Sequence, residues 1–423
     1  MTRMKESGID WIGQIPEEWE TSKIRYLVTT RSEKRITDSS VPYIGLENIE
    51  SQTGKFVKTG IQVDKSENIV VEIGDVLFGK LRPYLRKYWR ATFTSTASSE
   101  FLVFQSSELD MNFLYYAIQS DSFIEEVNTS TYGSKMPRAS WEYIKNMRIA
   151  FPTSLVEQQK IADFLDKKTA QLDKVKSLLE EQIQKLKDYR ASLIYETVTK
   201  GLDKNVPMKD SGIDWIGQIP QGWGVKPIKH VVATPVTDGP HETPLLCETG
   251  IPFLSAEAVK NGVLDFNYKR GYISLQDHER FKKKISPKKD DIFIVKSGAT
   301  TGNVGIVNTD EIFDIWSPLA LIRCKKSLAV QKYIYYYLIS NIFKAQVEFN
   351  WSFGTQQNIG MGIIENIKLI LPPLSEQTKI SDLLDKKTYQ IDQLIQIKNK
   401  QIDNINKQRQ TLIYDYVTGK RRV

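Results

Sequence analysis

Two stretches of this 423-residue chain combine cationic, amide and hydroxyl side chains that could bind a polyanion. In the first half the candidates are Lys80, Arg82, Tyr84, Arg86, Lys135 and Arg138. In the second half they are Lys284, Lys296, Ser297, Thr300, Gln356, Gln357 and Asn358. Lysine and arginine pair with phosphates and with guanine edges, whereas asparagine and glutamine pair with adenine. We therefore predict DNA contacts in both stretches, with an ordinary solvated position as the alternative for any single side chain.

No recognisable catalytic or metal-binding pattern accompanies these candidates. Residues 296–305 are rich in glycine but lack the Gly-Lys-Ser/Thr ending of a nucleotide-binding loop. An adenine methyltransferase would show an Asn/Asp-Pro-Pro-aromatic motif, and a metal-dependent nuclease would show clustered acidic residues with lysine. The histidines and cysteines are too widely spaced for a ligand set; they are His230, His241, His278, Cys247 and Cys324. We predict no catalysis, no metal and no cofactor in this chain.

The chain contains an internal duplication that must position both stretches. Residues 4–16 (MKESGIDWIGQIP) and 208–220 (MKDSGIDWIGQIP) agree at twelve of thirteen positions, and Trp19 and Trp223 extend the match at the same offset. A repeat of this kind, rich in Trp, Gly and Pro, indicates two copies of one structural plan.

A second duplicated block follows the variable part of each copy. Residues 157–173 align without gaps to residues 376–392, and the register continues to Thr199 and Thr418. The regions between the blocks share an order of elements but few identities. Each has a Pro-aromatic strand signal, an apolar strand introduced by Asp75 or Asp291 and an aromatic helical stretch. The pattern predicts a common fold with divergent surfaces.

The second duplicated block predicts a long coiled-coil helix in each copy. From residue 157 to residue 199 there is no Gly or Pro, and an apolar residue recurs every seven positions. The predicted seam residues are Leu165, Leu172, Leu179, Leu186, Leu193, Leu384, Ile391, Ile405 and Leu412. Lys398 stands where the first copy has Leu179.

A second seam series is predicted at Ile161, Val175 and Tyr189, interrupted by Lys168 and Gln182. A capping pattern at Ser154 and Glu157, Pro372-Pro373, and glycines at 201 and 419 mark the predicted helix ends. Each helix of about 43 residues would span roughly 64 Å. We expect antiparallel pairing of the two helices about a pseudo-two-fold axis, the alternative being a helix that packs only on its own domain.

The predicted fold class is α+β, with two homologous α/β target recognition domains separated by two long helices that form an antiparallel coiled coil. The predicted segments are a first domain at 1–151, a central helix at 152–200, a second domain at 201–371 and a C-terminal helix at 372–423. This length exceeds that of one ordinary core, which agrees with more than one domain.

Composition is compatible with a nucleic-acid partner and gives no sign of export. The formal charge is +7, a modest excess for this length. The first ten residues carry Lys, Glu and Asp instead of an apolar run, and residues 328–343 are too short to span a bilayer. Two cysteines do not build a disulfide framework. We expect a cytoplasmic protein without membrane contact.

Over nearly its whole length the chain resembles the specificity subunits of type I restriction-modification systems. The resemblance rests on the Gly-Ile-Asp-Trp-Ile-Gly-x-Ile-Pro-x-x-Trp opening at residues 8–19 and 212–223, and on the Pro and Glu-Gln helix start at residues 152–158 and 372–377. The second helix start has one residue fewer before Glu. The duplicated domain-plus-helix plan completes the resemblance.

This resemblance implies a non-catalytic subunit that recognises an asymmetric bipartite DNA target, one half-site per domain, with the helices setting the unread gap. It implies docking of two methyltransferase subunits and, through them, restriction and translocase subunits. S-adenosylmethionine, ATP and magnesium would act in those partners. The bases recognised and the gap length are not encoded in the fold.

Two other classes of function remain open from sequence alone. A coiled-coil scaffold or adhesion protein joining two binding modules would have no DNA affinity even at low salt, whereas phosphate contacts give binding that weakens as salt rises. An enzyme acting alone would show cofactor-dependent turnover of the purified chain.

Overall fold

A computed structural model describes residues 3–37, 41–59, 66–133, 135–349 and 358–423. The chain forms two compact units: unit 1 contains Met1–Glu180 and Lys398–Val423, and unit 2 contains Glu181–Ile397. The unit boundaries fall inside the two longest helices, so each unit contains one domain and part of both helices. Within the described residues, no helix is both long enough and apolar enough to cross a membrane.

Unit 1 is a mixed α/β domain. Its described strands are β1 (Met4–Glu6), β2 (Gln14–Pro16), β3 (Trp19–Lys23), β4 (Thr29–Thr30), β5 (Lys34–Ile36), β6 (Tyr43–Ile44), β7 (Glu67–Val71), β8 (Val76–Gly79), β9 (Tyr88–Arg90), β10 (Ser95–Ala97), β11 (Phe101–Gln105) and β12 (Arg148–Pro152). Its helices are α1 (Met111–Ala117), α2 (Asp121–Thr129), α3 (Trp141–Ile144) and the first part of α4 (Leu155–Lys200).

The strands of unit 1 form two larger sheets and two ribbons. The sheets have the strand orders β5-β7-β10-β6 and β4-β11-β8-β9, and the ribbons are β1-β2 and β12-β3. The β6–β10 pair is parallel, and the other strand pairs described in this unit are antiparallel. Strands β8 and β11 are almost entirely buried, which places the loops at their ends on a rigid support.

Unit 2 repeats this plan. Its described strands are β13 (Met208–Asp210), β14 (Gln218–Pro220), β15 (Gly224–Pro227), β16 (Thr237–Asp238), β17 (Ile251–Leu254), β18 (Val259–Lys260), β19 (Val263–Leu264), β20 (Gly271–Ile273), β21 (Ile292–Val295), β22 (Val304–Ile306), β23 (Asp314–Ile315), β24 (Leu319–Ile322) and β25 (Lys368–Leu371). Its helices are α5 (Leu275–Phe281), α6 (Gln331–Leu338), α7 (Asn341–Phe349), α8 (Met361–Asn366) and the first part of α9 (Leu374–Val417).

The sheets of unit 2 have the orders β16-β24-β21-β22-β19-β18 and β20-β17-β23, with ribbons β13-β14 and β15-β25. Strand β21, like β8, is introduced by an aspartate. Asp75 accepts from Arg31 Nε at 2.9 Å, and Asp291 accepts from Arg323 Nε at 2.7 Å. Because these acids are buried, their ion pairs satisfy charges that would otherwise be costly. The predicted Asp-introduced strands are therefore confirmed in both copies.

The duplicated Trp and Glu-Gln motifs join each domain to its following helix. Trp19 Nε1 donates to Glu157 at 3.2 Å, and Trp223 Nε1 donates to Glu376 at 2.9 Å. These four residues lie far apart in sequence but are brought together in the same way in both units. The repeat preserves a hydrogen-bonded junction between the domain and its helix.

The glutamine of each motif makes a second junction contact. Gln158 Oε1 accepts from the Asp110 backbone N–H at 2.8 Å, and Gln158 Nε2 donates to the Pro152 carbonyl at 2.8 Å. Gln377 accepts from the Val330 N–H at 2.8 Å and donates to the Pro372 carbonyl at 2.9 Å. Both glutamines are buried, and each bridges backbone groups of two separate segments inside the junction.

Within unit 1 the described parts of α4 and α9 pair antiparallel. Phe164 packs on Tyr416 with ring centroids 4.5 Å apart, whereas Asp173, further along α4, faces the earlier α9 residue Arg409 at 3.9 Å. The core of unit 1 contains residues from both helices, including Leu165 and Ile413. The alternative that each helix packs only on its own domain is therefore excluded for this unit.

Unit 2 contains the equivalent pairing. Arg190 of α4 donates to Asp392 of α9 at 2.6 Å, and its core includes Ile194 and Leu384. Arg190 and Arg409 occupy matched positions in the two copies, as do Asp173 and Asp392. Each unit thus has an arginine–aspartate pair between α4 and α9. In unit 1 the arginine lies on α9 and the aspartate on α4, and in unit 2 the two helices exchange these residues.

The predicted second seam series is confirmed at Ile161, which is buried in the core of unit 1, but it is wrong further along α4. Val175 and Tyr189 are 47% and 54% exposed. Several buried residues of α4 instead lie four positions after a member of the leucine series, namely Thr169, Ile183 and Thr197. Thr169 and Thr197 are polar, so a search for apolar residues does not select this series. It selects Val175 and Tyr189 instead. Lys168 and Gln182, which were predicted as polar interruptions of the seam, consequently do not belong to the buried series.

The burial of the predicted leucine-series residues varies along both helices. Leu165, Leu384 and Ile391 are buried, and the other members are partly buried: Leu172, Leu179, Leu186, Leu193, Ile405 and Leu412. The predicted C-terminal ends are confirmed, since Gly201 and Gly419 follow the helices with φ of 77° and 72°. This left-handed conformation favours glycine at a helix C-terminus.

Candidate nucleic-acid interface

The two basic segments predicted in the first domain lie side by side. We call residues 80–86 loop A1 and residues 132–138 loop B1; residue 134 lies outside the described part of the chain. The Arg82 N–H donates to the Pro137 carbonyl at 2.7 Å, and the Ala139 N–H donates to the Lys80 carbonyl at 2.9 Å. Loop A1 leaves the buried strand β8, which fixes the position of both loops.

Loop A1 has an unusual backbone. Arg82 and Arg86 have positive φ values of 50° and 54°, and they flank a single 3-10 turn formed by Pro83–Leu85. Non-glycine residues rarely adopt this conformation, and such strain is concentrated at functional sites. The turn presents Tyr84, whose side chain is half exposed.

The cations of loops A1 and B1 differ in their environments. Lys135 is exposed, and its carbonyl accepts from Arg82 Nη2 at 3.3 Å. Arg86 is largely buried in an ion pair with Asp121, whereas Lys80 is partly buried. Arg86, predicted as a DNA contact, is therefore also part of the support that holds loop A1 against α2.

Arg138 forms an ion pair with Glu100 at the start of β11. Arg138 Nε lies 3.1 Å from Glu100 Oε2, and Nη2 lies 2.9 Å from Oε1. The hydrogen bond to the Glu100 carboxylate raises the pKa of Arg138 above its ordinary value. The Arg138 side chain is still 38% exposed within this pair.

In the second domain the segment after β21 meets the chain at Asn358 and Ile359. We call residues 296–301 loop A2 and residues 354–358 loop B2; residues 354–357 lie outside the described part of the chain. The Ile359 N–H donates to the Lys296 carbonyl at 2.7 Å, and Ser297 and Asn358 form an antiparallel bridge. Asn358 is exposed. The candidates Gln356 and Gln357 lie outside the described residues.

Loop A2 turns at Gly298, which has φ of 101°, and Thr301 Oγ1 donates to the Gly298 carbonyl at 2.7 Å. Ser297 and Thr300 are partly buried on either side of this turn. The glycine permits a backbone conformation that other residues adopt only with strain. A2 is thus a tight polar turn, and a nucleotide-binding loop is not needed to explain its glycines.

A buried aspartate that sequence reasoning missed organises two of the predicted cations. Asp238 lies 2.6 Å from Lys284 Nζ and 2.6 Å from Lys296 Nζ, and Lys284 also donates to the Gly239 carbonyl at 2.8 Å. Burial opposes ionisation of Asp238, but hydrogen bonds from the two lysines outweigh it and lower its pKa. Because the lysines lie 46 and 58 residues further along the chain, no local sequence signal marks this cluster.

The histidines and the buried cysteine have structural environments. His241 Nε2 lies 3.1 Å from Asp238, and His278 Nδ1 lies 2.6 Å from Asp314. Burial raises the pKa of Asp314, and it raises the pKa of Cys324 to about 12, which leaves that thiol protonated at neutral pH. In the described parts of the chain, no group of three or more His, Cys, Asp or Glu side chains is arranged to hold a metal ion.

The described residues of the two domains make matching backbone contacts with different side chains. Lys80 and Lys296 are each the fifth residue after the aspartate that introduces the buried strand, and their carbonyls accept equivalent hydrogen bonds. Arg138 and Asn358 then occupy the same position in the second loop, each paired with the residue after the lysine. The scaffold is common to both domains, and the exposed chemistry differs.

A sequence model of the family described as Type I restriction modification DNA specificity domain matches residues 16–187 and 220–407, which cover both copies. The chain belongs to this family. As a type I specificity subunit it is the non-catalytic component of its system.

Curated relatives of this specificity subunit match over most of its length. The chain is 25% identical to the type I restriction enzyme MjaVIII specificity subunit of Methanocaldococcus jannaschii, covering 97% of this chain and 94% of the relative. It is 23% identical to the EcoBI specificity subunit of Escherichia coli, covering 73% of this chain and 65% of the relative.

A solved structure titled as the structural basis of complex assembly and conformational transition of the type I R-M system has the same fold. It matches with a TM-score of 0.71 at 19% identity, covering 95% of this chain and 98% of that one. The predicted class, two homologous domains with long helices, is confirmed by this likeness and by the two matched family regions.

Proposed function

We propose that this specificity subunit recognises an asymmetric, bipartite double-stranded DNA target, with loops A1 and B1 contacting one half-site and loops A2 and B2 the other. The observation that carries the proposal is the matching set of backbone contacts at Lys80 and Arg138 in one domain and at Lys296 and Asn358 in the other, made on one scaffold but with different side chains. Base edges are distinguished by side-chain donors and acceptors, so unlike loops on like scaffolds suit unlike half-sites.

We further propose that α4 and α9 set the unread gap between the half-sites. The matched segments are equally long, from Glu157 to Thr199 and from Glu376 to Thr418. The interhelical arginine–aspartate pairs favour a defined register, because a shift along either helix would separate them. A helix of fixed length and register can define a distance along DNA.

The same helices offer surfaces for two methyltransferase subunits. Val175 and Leu178 are about half exposed in unit 1, and in unit 2 Tyr189, Tyr389 and Leu394 are 54%, 66% and 46% exposed. Large apolar and aromatic side chains exposed on these helices are candidates for burial against a partner. We expect the restriction and translocase subunits to bind through the methyltransferase subunits, in the cytoplasm.

This subunit is proposed to hold no cofactor itself. S-adenosylmethionine would be bound by the methyltransferase subunits, and ATP with magnesium by the restriction and translocase subunits. The support is that two of the histidines already contact aspartates: His241 Nε2 lies 3.1 Å from Asp238, and His278 Nδ1 lies 2.6 Å from Asp314.

Two measurements test the proposal. The chain should be expressed with its methyltransferase subunit in a host lacking adenine methylation, and modified adenines should map to one interrupted motif. In parallel, binding of the purified complex to duplex DNA should weaken steeply as salt is raised from about 50 to 200 mM, because phosphate contacts release counterions. DNA affinity that is absent at low salt, together with no interrupted motif, would instead support the scaffold or adhesion alternative.

A further inference from the structure

The geometry points to Arg138 as a guanine-reading residue of the first half-site, with Glu100 as the positioning residue that aims it. This inference rests on the proposed function and deepens it by assigning a base to a side chain. Sequence reasoning placed Arg138 among equally weighted candidates. The contacts around it now separate it from the others.

The first step is the orientation of the guanidinium. Arg138 contacts Glu100 through Nε, at 3.1 Å from Oε2, and through Nη2, at 2.9 Å from Oε1. This side-on pairing uses the Nε–H and one Nη2–H of the five N–H donors of arginine. The remaining edge carries one N–H from Nη1 and the other from Nη2, side by side. Two parallel donors of this kind match the O6 and N7 acceptors of guanine in the major groove.

The second step is the rigidity of the support. The Arg138 N–H donates to the Tyr132 carbonyl at 3.1 Å, and the Tyr132 N–H donates back to the Arg138 carbonyl at 3.3 Å. The Glu100 carbonyl accepts from the Lys80 N–H at 2.8 Å. Both partners of the ion pair are therefore held by backbone bonds to the paired loops. A side chain oriented in advance loses less conformational entropy when it binds a base.

The third step separates Arg138 from the other arginines of the loops. Arg86 is 19% exposed and paired with Asp121, and Arg82 is directed toward the Lys135 carbonyl. Arg138 is twice as exposed as Arg86, at 38%. It also occupies the position that carries Asn358 in the second domain, and asparagine matches adenine. One position of the common scaffold thus carries two residues with different base preferences.

The test combines variants of the protein with variants of the DNA. The full complex carrying Arg138→Ala, Arg138→Lys or Glu100→Gln is expressed in an unmethylated host, and modified adenines are mapped. We expect the loss of a guanine preference at one position of one half-site, by roughly tenfold or more for both Arg138 variants. Lysine keeps the charge but lacks the paired donors. Glu100→Gln should relax the same position less and leave every other position unchanged.

A matched control distinguishes a loss of base recognition from a loss of protein stability. Arg31 makes the same side-on pair with Asp75, through Nε at 2.9 Å and Nη2 at 3.1 Å, but on the scaffold and not in the loops. Arg31→Ala should lower stability and leave the modified motif unchanged. If the Arg138 variants behave as Arg31→Ala does, Arg138 is only a structural ion-pair partner and the inference is wrong.

A binding measurement makes the test independent of catalytic yield. Each guanine of the first half-site is replaced in turn by 7-deazaguanine, which lacks the N7 acceptor. One such replacement should weaken binding by the unmutated complex and have no further effect on the Arg138→Ala complex. Absence of any guanine coupled to Arg138 would overturn the inference while the interrupted motif stands. Absence of an interrupted motif for the unmutated complex would instead remove the proposed function and the inference with it.

Discussion

One helix position carries arginine in both copies but in two different environments. Arg409 is 8% exposed in unit 1, where Nη1 donates to the Gln52 carbonyl and to Gln119 Oε1, both at 3.2 Å. Arg190 is 38% exposed in unit 2 and pairs with Asp392. A buried charge that loses its partners costs far more than a solvated one. The duplicated chain therefore contains its own comparison of buried and exposed ion pairs.

We predict that Arg409→Ala lowers the free energy of unfolding of unit 1 by about 2–4 kcal/mol, because it removes the donor to the buried Gln119 Oε1 and the cationic partner of Asp173. Arg190→Ala, its matched control, should cost unit 2 under about 1 kcal/mol. Hydrogen exchange followed peptide by peptide measures the two units separately. Equal losses in both units would show that burial does not govern the contribution of this pair.

At the residue scale the sequence identifies candidate side chains but not their partners. It predicted cations and amides in both stretches, and the structure places most of the described candidates on paired loops. It did not predict that Lys296 and Lys284 share Asp238, or that Arg138 is held by Glu100. Such pairs join residues tens of positions apart, and no local pattern encodes them.

At the scale of elements, the junctions between domain and helix depend on buried glutamines. We predict that Gln158→Leu destabilises unit 1 by about 2–4 kcal/mol, since it leaves the Asp110 N–H and the Pro152 carbonyl without a partner. Gln377→Leu should have the same effect on unit 2 alone. Denaturant unfolding combined with hydrogen exchange measures both effects.

The neighbouring residue provides the control for this prediction. Gln159 is partly exposed and donates only to Asp163, one helical turn away, at 2.7 Å. Gln159→Leu should change stability by no more than about 0.5 kcal/mol. If Gln158→Leu and Gln159→Leu cost the same, the buried junction does not contribute as described.

The two long helices and the Asp-introduced strands were predicted from sequence, whereas the second seam series of the helices was predicted correctly only at Ile161. Absence of Gly and Pro together with heptad spacing located α4 and α9, and an aspartate before an apolar run located β8 and β21. The second seam series was misplaced because its true members include Thr169 and Thr197, which an apolar pattern does not select. Seam positions that carry polar residues are set by tertiary contacts and not by hydrophobicity.

At the scale of the whole molecule, the internal duplication could be predicted from the match between residues 4–16 and residues 208–220. The sequence does not show where one unit ends and the other begins. Both unit boundaries fall inside continuous helices whose sequence has no break at that point. Sequence periodicity defines a helix, but only packing shows which parts of it join which domain.

The proposed spacing role makes a quantitative prediction at this scale. One heptad inserted after Leu179 and another after Lys398, the matched position, preserves the heptad phase in both helices. Seven residues add about 10 Å to a helix, the length of about three base pairs of DNA. The half-sites should stay the same, because loops A1, B1, A2 and B2 are untouched. Insertion into only one helix, the control, should disturb pairing and abolish modification.

The central claim, that two unlike sets of loops are held at a set spacing by paired helices, is tested most directly by mapping modified adenines for the doubly extended chain with its methyltransferase subunits. The account predicts the original two half-sites separated by a gap longer by about three base pairs. A folded, active complex that modifies the original motif with an unchanged gap would contradict it.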